Sequence, residues 1–348
     1  MSRKPILGID IGHDQLKLAL VNNGTVLQTG SAQMPENLFH DGRFRSLDVM
    51  ASLIRDTMKE NGIKATRAAV ILPDESVYVK NVEMPLMTEE QLGYNLPFEF
   101  HDYISGEVQD FLFDYAVIDG EDEEPNEPAG ALTEMAEENR EIKEVIQLMA
   151  VGIEKGIVED IEQMLRKAGL KLVKSAPTLS AFISLIREKG GSLQQGSDEC
   201  GILDLGYHAI NLYMYRKDRH IATRGFEIGL SSLDDIVADR FGVEKHLAHT
   251  YVMNNYEDCL NSEECAGFYD NIAVELMRAI NFYEFSNQGS SLTDIWVCGG
   301  GAANLPLIRT IGETLEADLH PSYKLLPGES SIPQHNSFVQ AIGVTLEI

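Results

Sequence analysis

The amino-acid sequence predicts an α/β protein whose two halves share one architecture. Three observations support this: a strand–turn–strand pattern occurs twice, strands alternate with helical patterns along the rest of the chain, and glycine-rich turns follow apolar strands. The chain has 348 residues, roughly two to three times the length of a typical domain. Two halves and an additional subdomain therefore fit within it.

The repeated pattern is a β-hairpin, with one copy over residues 8–27 and another over residues 202–221. Each copy contains an apolar strand that ends in Asp-x-Gly and a returning strand whose apolar residues alternate. Equivalent residues keep one offset, because Asp10 matches Asp204 and Gly12 matches Gly206. Agreement along the whole hairpin indicates a structural duplication.

Outside the hairpins, the spacing of apolar residues predicts further helices and strands. A helix over residues 46–60 ends at Asn61-Gly62, and two others end at Gly169 and Gly242, because a glycine after the last apolar residue commonly terminates a helix. The other predicted elements are a helix over residues 263–285, a helix capped by Asn304, and strands over residues 67–73, 111–118, 145–153 and 294–298.

The composition is strongly acidic, with 55 acidic and 28 basic residues and a formal net charge of −27. Such a charge repels phosphate backbones and anionic lipid surfaces, so we expect no nucleic-acid partner and no direct insertion into a membrane. No apolar run reaches the ~18 residues that a membrane span requires. Residues 119–144 carry eleven acidic and two basic side chains and predict an acidic surface loop.

The cysteines and the amino terminus indicate a cytoplasmic protein. The four cysteines contain no C-x-x-C pair, which is typical of reduced thiols. Asp10 interrupts the apolar stretch that follows Arg3 and Lys4, so this segment does not read as a secretion signal.

The two Asp-x-Gly turns have the chemistry of a phosphate site. A glycine lets backbone N–H groups approach phosphate oxygens closely, and a carboxylate beside it can hold Mg²⁺ through water. Two such turns from duplicated halves would clamp a polyphosphate between them. We therefore expect Asp10 and Asp204 to hold Mg²⁺ through its waters.

A third glycine-rich element fits the same plan. Gly299, Gly300 and Gly301 follow an apolar strand and lead into the helix that begins after Asn304. Backbone without side chains at the start of a helix accepts a flat base or a sugar.

In this order, the motifs resemble the phosphate 1, phosphate 2 and adenosine motifs of the actin/Hsp70/sugar-kinase superfamily. Segments within residues 72–103, 148–170, 225–229 and 338–343 resemble the PilM family of type IV pilus assembly proteins, itself similar to the cell-division protein FtsA. The resemblance extends over about residues 5–348.

The resemblance implies an actin-like, two-lobed α/β fold, a duplicated ribonuclease-H-like arrangement with an inserted small α+β subdomain. The implied domains are a first lobe over residues 1–80 and 154–195, an inserted subdomain over 81–153 that contains the acidic loop 119–144, and a second lobe over 196–348 with a helical subdomain at about 230–290.

The resemblance also implies a function, that of a cytoplasmic scaffold in a type IV pilus or related type II secretion machine. Such a scaffold binds ATP and Mg²⁺, docks the cytoplasmic N-terminal peptide of a PilN-like bitopic membrane protein, and contacts other components of the machine. Recruitment to the inner face of the plasma membrane then comes through that partner.

The implied peptide site involves the inserted subdomain. The candidate surface residues there are apolar, although packing of a helix against a sheet is the favoured explanation for them: Tyr94, Leu96, Phe98, Phe100, Tyr103 and Ile104.

The implied nucleotide contacts lie on the three glycine-containing motifs, and no catalytic residue is assigned. The candidates are Asp10, Gly12, His13, Asp14, Gln15 and Lys17 in the first motif, Asp204, Gly206, Tyr207 and His208 in the second, and Gly299, Gly300, Gly301 and Asn304 in the third.

Both phosphate motifs depart from the family pattern. His13, Asp14 and Gln15 stand where the family has hydroxyl residues, and Tyr207 and His208 add bulk to the second turn. Two like charges ~4 Å apart repel by about 4 kcal/mol at an effective dielectric constant of about 20. Asp14 therefore opposes phosphate binding, and we expect a weak or degenerate ATP site with little turnover.

Two alternative functions and one metal hypothesis remain. A small-molecule kinase of the superfamily requires an aspartate general base, for which the sequence offers no convincing candidate. An FtsA-like protein carries a C-terminal amphipathic helix, whereas this sequence ends at Ile348. His246 and His249 have near-helical spacing for zinc, but no third ligand follows, so a surface pair is expected.

Overall fold

The structure is a computed structural model that describes residues 4–35, 38–40, 42–118, 145–189, 198–287 and 289–347. The predicted acidic loop 119–144 lies outside the described residues. The chain divides into two compact units. The first comprises Met1–His40, Phe44–Pro73 and Glu162–Ile348, and the second comprises Asp41–Arg43 and Asp74–Ile161.

The amino-terminal half contains the first large sheet. The elements of this half of the chain are, in order, β1 (Ile6–Ile11), β2 (Gln15–Asn22), β3 (Thr25–Gln33), β4 (Phe39–His40), β5 (Arg43–Phe44), α1 (Leu47–Glu60), β6 (Arg67–Leu72), β7 (Val77–Pro85), α2 (Glu89–Asn95), β8 (Phe111–Ile118), β9 (Val145–Glu154), α3 (Lys155–Lys167), β10 (Lys171–Pro177) and α4 (Thr178–Glu188). The sheet has the order β10-β6-β1-β2-β3, and β1 runs antiparallel to β2 and parallel to β6.

The carboxy-terminal half contains the second large sheet. Its elements are β11 (Glu199–Leu205), β12 (Ile210–Arg216), β13 (Arg219–Phe226), α5 (Ser231–Phe241), α6 (Lys245–Asn254), α7 (Glu263–Ser286), β14 (Asp294–Cys298), α8 (Leu305–Leu315), β15 (Asp318–Pro321) and α9 (Val339–Gly343). The sheet order is β13-β12-β11-β14-β15, with β11 antiparallel to β12 and parallel to β14. Both sheets thus share one topology, as the repeated hairpin predicts.

The two hairpins also share their register. Asp10 lies opposite Lys17 in the β1–β2 pair, and Asp204 lies opposite Asn211 in the β11–β12 pair. Residues directly opposite each other on antiparallel strands have neighbouring side chains. The duplication therefore brings a lysine beside the first aspartate but an asparagine beside the second.

Helices cover the sheets with their apolar faces. On α1, Met50 and Ile54 are fully buried, Ser46 caps the helix, and Gly62 follows it with a φ of +66°. The longest helix, α7, buries residues at helical spacing from Cys265 to Tyr283. None of the helices in the described ranges combines the length and hydropathy that crossing a membrane requires.

The second unit contains a three-stranded sheet with the order β7-β9-β8. The six apolar residues expected to lie either on its surface or in its core fall into two groups. Leu96, Phe100 and Ile104 are buried in its core. The aromatic rings of the other three are more than half exposed: Tyr94, Phe98 and Tyr103.

Helix α9 packs very closely against β1 in the first unit. A Cβ atom on Gly8 would lie 1.7 Å from the carbonyl oxygen of Ala341 and 2.8 Å from Cγ2 of Thr345. Only a residue without a side chain allows this separation between the strand and the helix. The position thus constrains the backbones of both elements.

We expect Gly8→Ala to lower the free energy of unfolding by about 2 kcal/mol or more, because the methyl group overlaps backbone that must shift. Gly267→Ala is the matched control, since Gly267 lies in α7 with no atom within 4 Å of its missing Cβ. That substitution should raise the free energy of unfolding by about 0.5–1 kcal/mol. Urea denaturation measures both, and equal stability of Gly8→Ala and the unmodified protein would contradict the argument.

A buried histidine in β13 makes stability depend on pH. The side chain of His220 is buried, and its Nε2 lies 2.8 Å from Oγ1 of Thr223. Burial disfavours the charged imidazolium and lowers the pKa of His220 to about 4. The unfolded chain, in which the histidine pKa is about 6.5, binds the proton more readily between pH 6.5 and 4. This contribution to stability is therefore complete above pH 6.5 and is lost as the pH falls towards 4.

We expect the unfolding free energy of the unmodified protein to fall between pH 7.5 and pH 5.0 by about 2 kcal/mol more than that of His220→Gln, which has no imidazole to protonate. The exposed His246 provides the control, because His246→Gln should retain the unmodified pH dependence. Urea denaturation at both pH values tests this, and identical pH slopes for all three proteins would be the contrary result.

Candidate functional site

The two Asp-x-Gly turns of the first unit have the predicted tight geometry. The backbone N–H of Gly12 donates to the carbonyl of Gln15 at 3.0 Å and closes the first turn. In the second turn, a Cβ on Gly206 would lie 2.5 Å from the carbonyl oxygen of Ala209. Both turns are therefore tight and directly follow buried strands.

Lys17 brings a buried positive charge to the aspartates of both turns. Its Nζ lies 3.5 Å from Oδ2 of Asp10, and both side chains are nearly buried. Burial lowers the pKa of Lys17, but the carboxylates of Asp10 and Asp204 outweigh that effect and raise the pKa above its ordinary value. Lys17 is therefore firmly charged and interacts with one carboxylate from each half.

Asp204 has further partners besides Lys17. The Nε2 of Gln340, from α9, donates to Oδ2 of Asp204 at 2.7 Å. The neighbouring thiol of Cys298 is buried, and burial, reinforced by Asp204, raises the pKa of Cys298 well above its usual range. Cys298 is therefore a neutral thiol that adds no negative charge to the cluster.

The histidines of the two turns meet each other. The rings of His13 and His208 lie 4.6 Å apart between centroids in an edge-to-face arrangement. His13 also packs against Phe39, and His208 packs against Tyr207. Imidazole rings thus bridge the first and second turns.

Asp14 makes polar contacts on two sides. The Nε2 of Gln33 donates to Oδ1 of Asp14, and the Nε2 of His249 lies 3.4 Å from the same carboxylate oxygen. Gln15 contributes the backbone carbonyl that closes the turn. The carboxylate that the sequence identifies as an obstacle to phosphate thus has amide and imidazole neighbours.

The expectation of a surface histidine pair is wrong for His249. His246 is exposed, whereas the side chain of His249 is only 19% exposed and faces two carboxylates. Its Nδ1 lies 3.1 Å from Oδ2 of Asp234, and the hydroxyl of Tyr207 donates to that same oxygen at 2.6 Å. Helix α6 therefore contributes a residue to the site that spacing alone assigned to the surface.

Asp234 is fully buried in the first turn of α5. Burial raises the pKa of Asp234, although the hydrogen bond from Tyr207 and the nearby His249 favour its charged form. Burial and the same carboxylate also raise the pKa of Tyr207, so its hydroxyl keeps its proton and remains a donor. Tyr207 and His249 contact the buried carboxylate directly, and Lys245 acts on it electrostatically.

The triple glycine follows β14 as predicted. A Cβ on Gly299, whose φ is +81°, would lie 2.4 Å from Oδ1 of Asp204, and one on Gly301 would lie 2.7 Å from Cβ of Leu205. At Gly300 the nearest atom to such a Cβ is 4.0 Å away, so this backbone is open. The loop therefore packs on the second turn through its first and third glycines.

Asn304 forms the predicted cap of α8. Its Oδ1 accepts from the backbone N–H of Leu307 at 3.1 Å, and its Nδ2 donates to the hydroxyl of Tyr269 at 3.2 Å. The side chain is buried. The structure thus gives Asn304 a helix-capping role through Oδ1, while its Nδ2 is bound to Tyr269.

Protein side chains alone form no preassembled metal site in the described ranges. No group of three or more histidine, cysteine, aspartate or glutamate side chains has the arrangement that could hold a metal ion there. Asp10 and Asp204 instead share the ammonium of Lys17. A Mg²⁺ ion at these carboxylates would therefore depend on ligands from water and phosphate.

Comparison with models of known protein families assigns this chain to one of them. A model described as type IV pilus assembly protein PilM matches residues 8–322. The chain belongs to this family. A comparison with curated proteins finds no match.

Solved structures agree with the PilM assignment at the level of the fold. A PilM-PilN type IV pilus biogenesis complex is similar with a TM-score of 0.78 and 19% identity, covering 97% of this chain and 97% of that one. The ethanolamine utilization protein EutJ from Carboxydothermus hydrogenoformans is similar with a TM-score of 0.59 and 12% identity, covering 99% of this chain and 90% of that one. The predicted actin-like fold is confirmed.

We expect Lys17→Met to lower the free energy of unfolding of this PilM-family protein by about 3 kcal/mol, because the buried carboxylate of Asp10 and the partly buried one of Asp204 lose their cation. The double variant Lys17→Met/Asp10→Asn should recover at least about 1 kcal/mol, since one of those charges is removed. Lys64→Met, which changes an exposed lysine of the same unit, should have no measurable effect. Urea denaturation at pH 7 measures the free energy of unfolding of all three variants. A double variant less stable than Lys17→Met would count against the shared-cation arrangement.

Proposed function

We propose that this chain is a cytoplasmic scaffold of a type IV pilus assembly machine, which binds ATP with Mg²⁺ in its first unit and docks the cytoplasmic N-terminal peptide of a PilN-like inner-membrane protein. The partner would recruit it to the inner face of the plasma membrane. The observation that carries the proposal is the match of the PilM family model over residues 8–322. A similar structure is a complex of PilM with PilN, which supports the proposed partner.

The residues of the site fit a nucleotide with Mg²⁺ in several respects. Asp10 and Asp204 are the acidic groups that would hold Mg²⁺ through water, and Lys17 supplies a cation for phosphate. The backbones of the two glycine turns would donate to phosphate oxygens, and the open backbone at Gly300 would face the base or sugar. When bound, Mg²⁺ would screen the phosphate charges.

Other features of the site weaken binding. The ring contact between His13 and His208 occupies space between the two turns, and Asp14 places a negative charge on the first. Phosphate would have to move the rings and the carboxylate, or recruit the imidazoles as donors. We therefore propose weak binding and little hydrolysis.

Calorimetric titration with ATP and Mg²⁺ tests the nucleotide proposal. We expect a dissociation constant of about 0.1 mM or weaker, and at least about tenfold weaker binding for Asp10→Ala and for Asp204→Ala. Asp270→Ala, which removes an exposed carboxylate on α7, should bind as the unmodified protein does. Nanomolar binding that is indifferent to both turn variants would be incompatible with this site.

The second unit offers a surface for the proposed peptide. The side chains of Tyr94, Phe98 and Tyr103 are exposed, although aromatic rings of this size are usually buried. Glu89 and Glu90, which are exposed and begin α2, add negative charge to the helix that carries Tyr94. Exposed aromatic rings with acidic neighbours favour a peptide that combines apolar residues with lysine or arginine.

A synthetic peptide with the cytoplasmic N-terminal sequence of a PilN-like protein provides the test. We expect Phe98→Ala to weaken its binding by about tenfold or more, because truncation of an exposed aromatic anchor removes most of its contacts. Phe285→Ala is the matched control, since Phe285 is exposed on α7 of the first unit and lies outside the proposed surface. Equal losses in both variants, or binding that neither changes, would exclude this docking surface.

A further inference from the structure

One imidazole in the first unit lies between two carboxylates from different halves of the chain. His249 on α6 faces Asp14, from the turn between β1 and β2, and Asp234, from α5. The two nitrogens of the ring are thus directed at different carboxylates, with distances of 3.4 Å from Nε2 and 3.1 Å from Nδ1. A neutral imidazole has one N–H group, so only the imidazolium donates to both.

The contact with Asp234 fixes the ring. Asp234 is fully buried, and Tyr207 donates to the carboxylate oxygen that faces Nδ1. Tyr207 also packs edge-to-face on the imidazole, with centroids 5.5 Å apart. These contacts leave Nε2 directed at the first Asp-x-Gly turn, where the proposed nucleotide would place its phosphates.

Of the two contacts, the one with Asp14 is more easily replaced by a contact with another acceptor. It is longer than the contact with Asp234, and both of its side chains are partly exposed. Asp14 also accepts a hydrogen bond from Gln33, so it keeps a partner when another acceptor replaces it at Nε2 of His249. A phosphate oxygen is such an acceptor, and hydrogen bonds from charged donors to it are strong.

We propose that His249 is a phosphate-binding residue of the nucleotide site, that Asp234 positions it, and that Asp14 occupies its Nε2 until phosphate displaces the carboxylate. This inference rests on the proposed nucleotide function. It makes the contact between Asp14 and His249 an autoinhibitory one, and it couples phosphate affinity to the protonation of His249.

The charged and titratable groups around His249 come from four places. Asp14 faces it from the first turn, Asp234 from α5 and Tyr207 from the second turn, while Lys245 on its own helix acts on Asp234 and pairs with Asp235. Carboxylates therefore outnumber fixed cations around the ring. Protonation of the imidazole adds a positive charge that attracts phosphate.

The test is calorimetry on the full chain with ATP and Mg²⁺, and separately with inorganic tripolyphosphate, at pH 6.5 and pH 8.0. We expect the unmodified protein to bind several-fold more tightly at pH 6.5, and Asp14→Asn to bind about tenfold more tightly than the unmodified protein at both pH values. His249→Gln should bind about tenfold more weakly at pH 6.5 and show a flatter pH profile, because it cannot be protonated.

Two further variants separate a specific role from a structural one. Asp234→Asn should shift the pH dependence of binding to lower pH, because the imidazolium loses a neighbouring negative charge, and an effect on stability alone would not move this profile. His246→Gln, on the exposed side of the same helix, should bind with unchanged affinity and pH dependence. Thermal unfolding verifies that every variant is folded.

The outcomes distinguish this inference from the function on which it rests. If the unmodified protein binds and Asp10→Ala does not, but His249→Gln binds normally at both pH values, the role of His249 is excluded while the nucleotide function stands. If only Asp14→Asn binds, the autoinhibitory contact is supported and nucleotide binding by the unmodified chain is rejected. If no variant binds either ligand, both proposals are rejected.

Discussion

The ammonium of Lys17, buried beside Asp10 and in the field of Asp204, is the interaction on which the centre of the first unit depends. The chain carries a formal net charge of −27, and its duplication places one aspartate from each half at neighbouring turns. Like charges in a poorly solvated site repel strongly, so these aspartates require a cation. Lys17 provides it within the chain, and Gln340 adds a neutral donor to Asp204.

The same requirement shapes the chemistry of the proposed nucleotide site. Because the cation is part of the protein, the repulsion between the aspartates of the two turns is offset without any ligand. A polyphosphate brings its own negative charge and must therefore bring Mg²⁺, or find protonated imidazoles, to enter a cluster whose fixed charges are mostly acidic. The histidines at the turns and on α6 are the side chains of this site that can take up a proton to become cationic. Binding of the polyphosphate, of Mg²⁺ and of protons at this site would therefore depend on one another electrostatically.

Local patterns in the sequence were sufficient for much of the fold. The hairpins around Asp10 and Asp204, the glycine that ends α1 and the cap at Asn304 are all determined by neighbouring residues, and the structure contains each of them. Contacts between distant segments were less predictable. His249 pairs with Asp14 across more than two hundred residues, and nothing in the spacing of α6 indicates it. Its buried partner, Asp234, offered a signal: an aspartate on the apolar face of α5, among residues such as Leu233 and Val237.

The aromatic residues of the second unit show the same limit. Their apolar character makes Tyr94, Phe98 and Phe100 equivalent candidates in the sequence, but only the path of the backbone decides which of them reaches the sheet. Burial of Phe100 and exposure of Phe98 two positions earlier reflect the tight helical turns of this segment, which a short sequence window does not specify.

The register of the two hairpins makes the duplicated halves chemically unequal. Lys17 in the first half corresponds to Asn211 in the second, so an amine faces one aspartate and an amide faces the other. A symmetric pair of turns would receive a chain of phosphates equally well in either direction. With an amine in one half and an amide in the other, the two ends of an elongated anion would meet different side chains. A single position that differs between the two hairpins is thus enough to make the two turns chemically distinct.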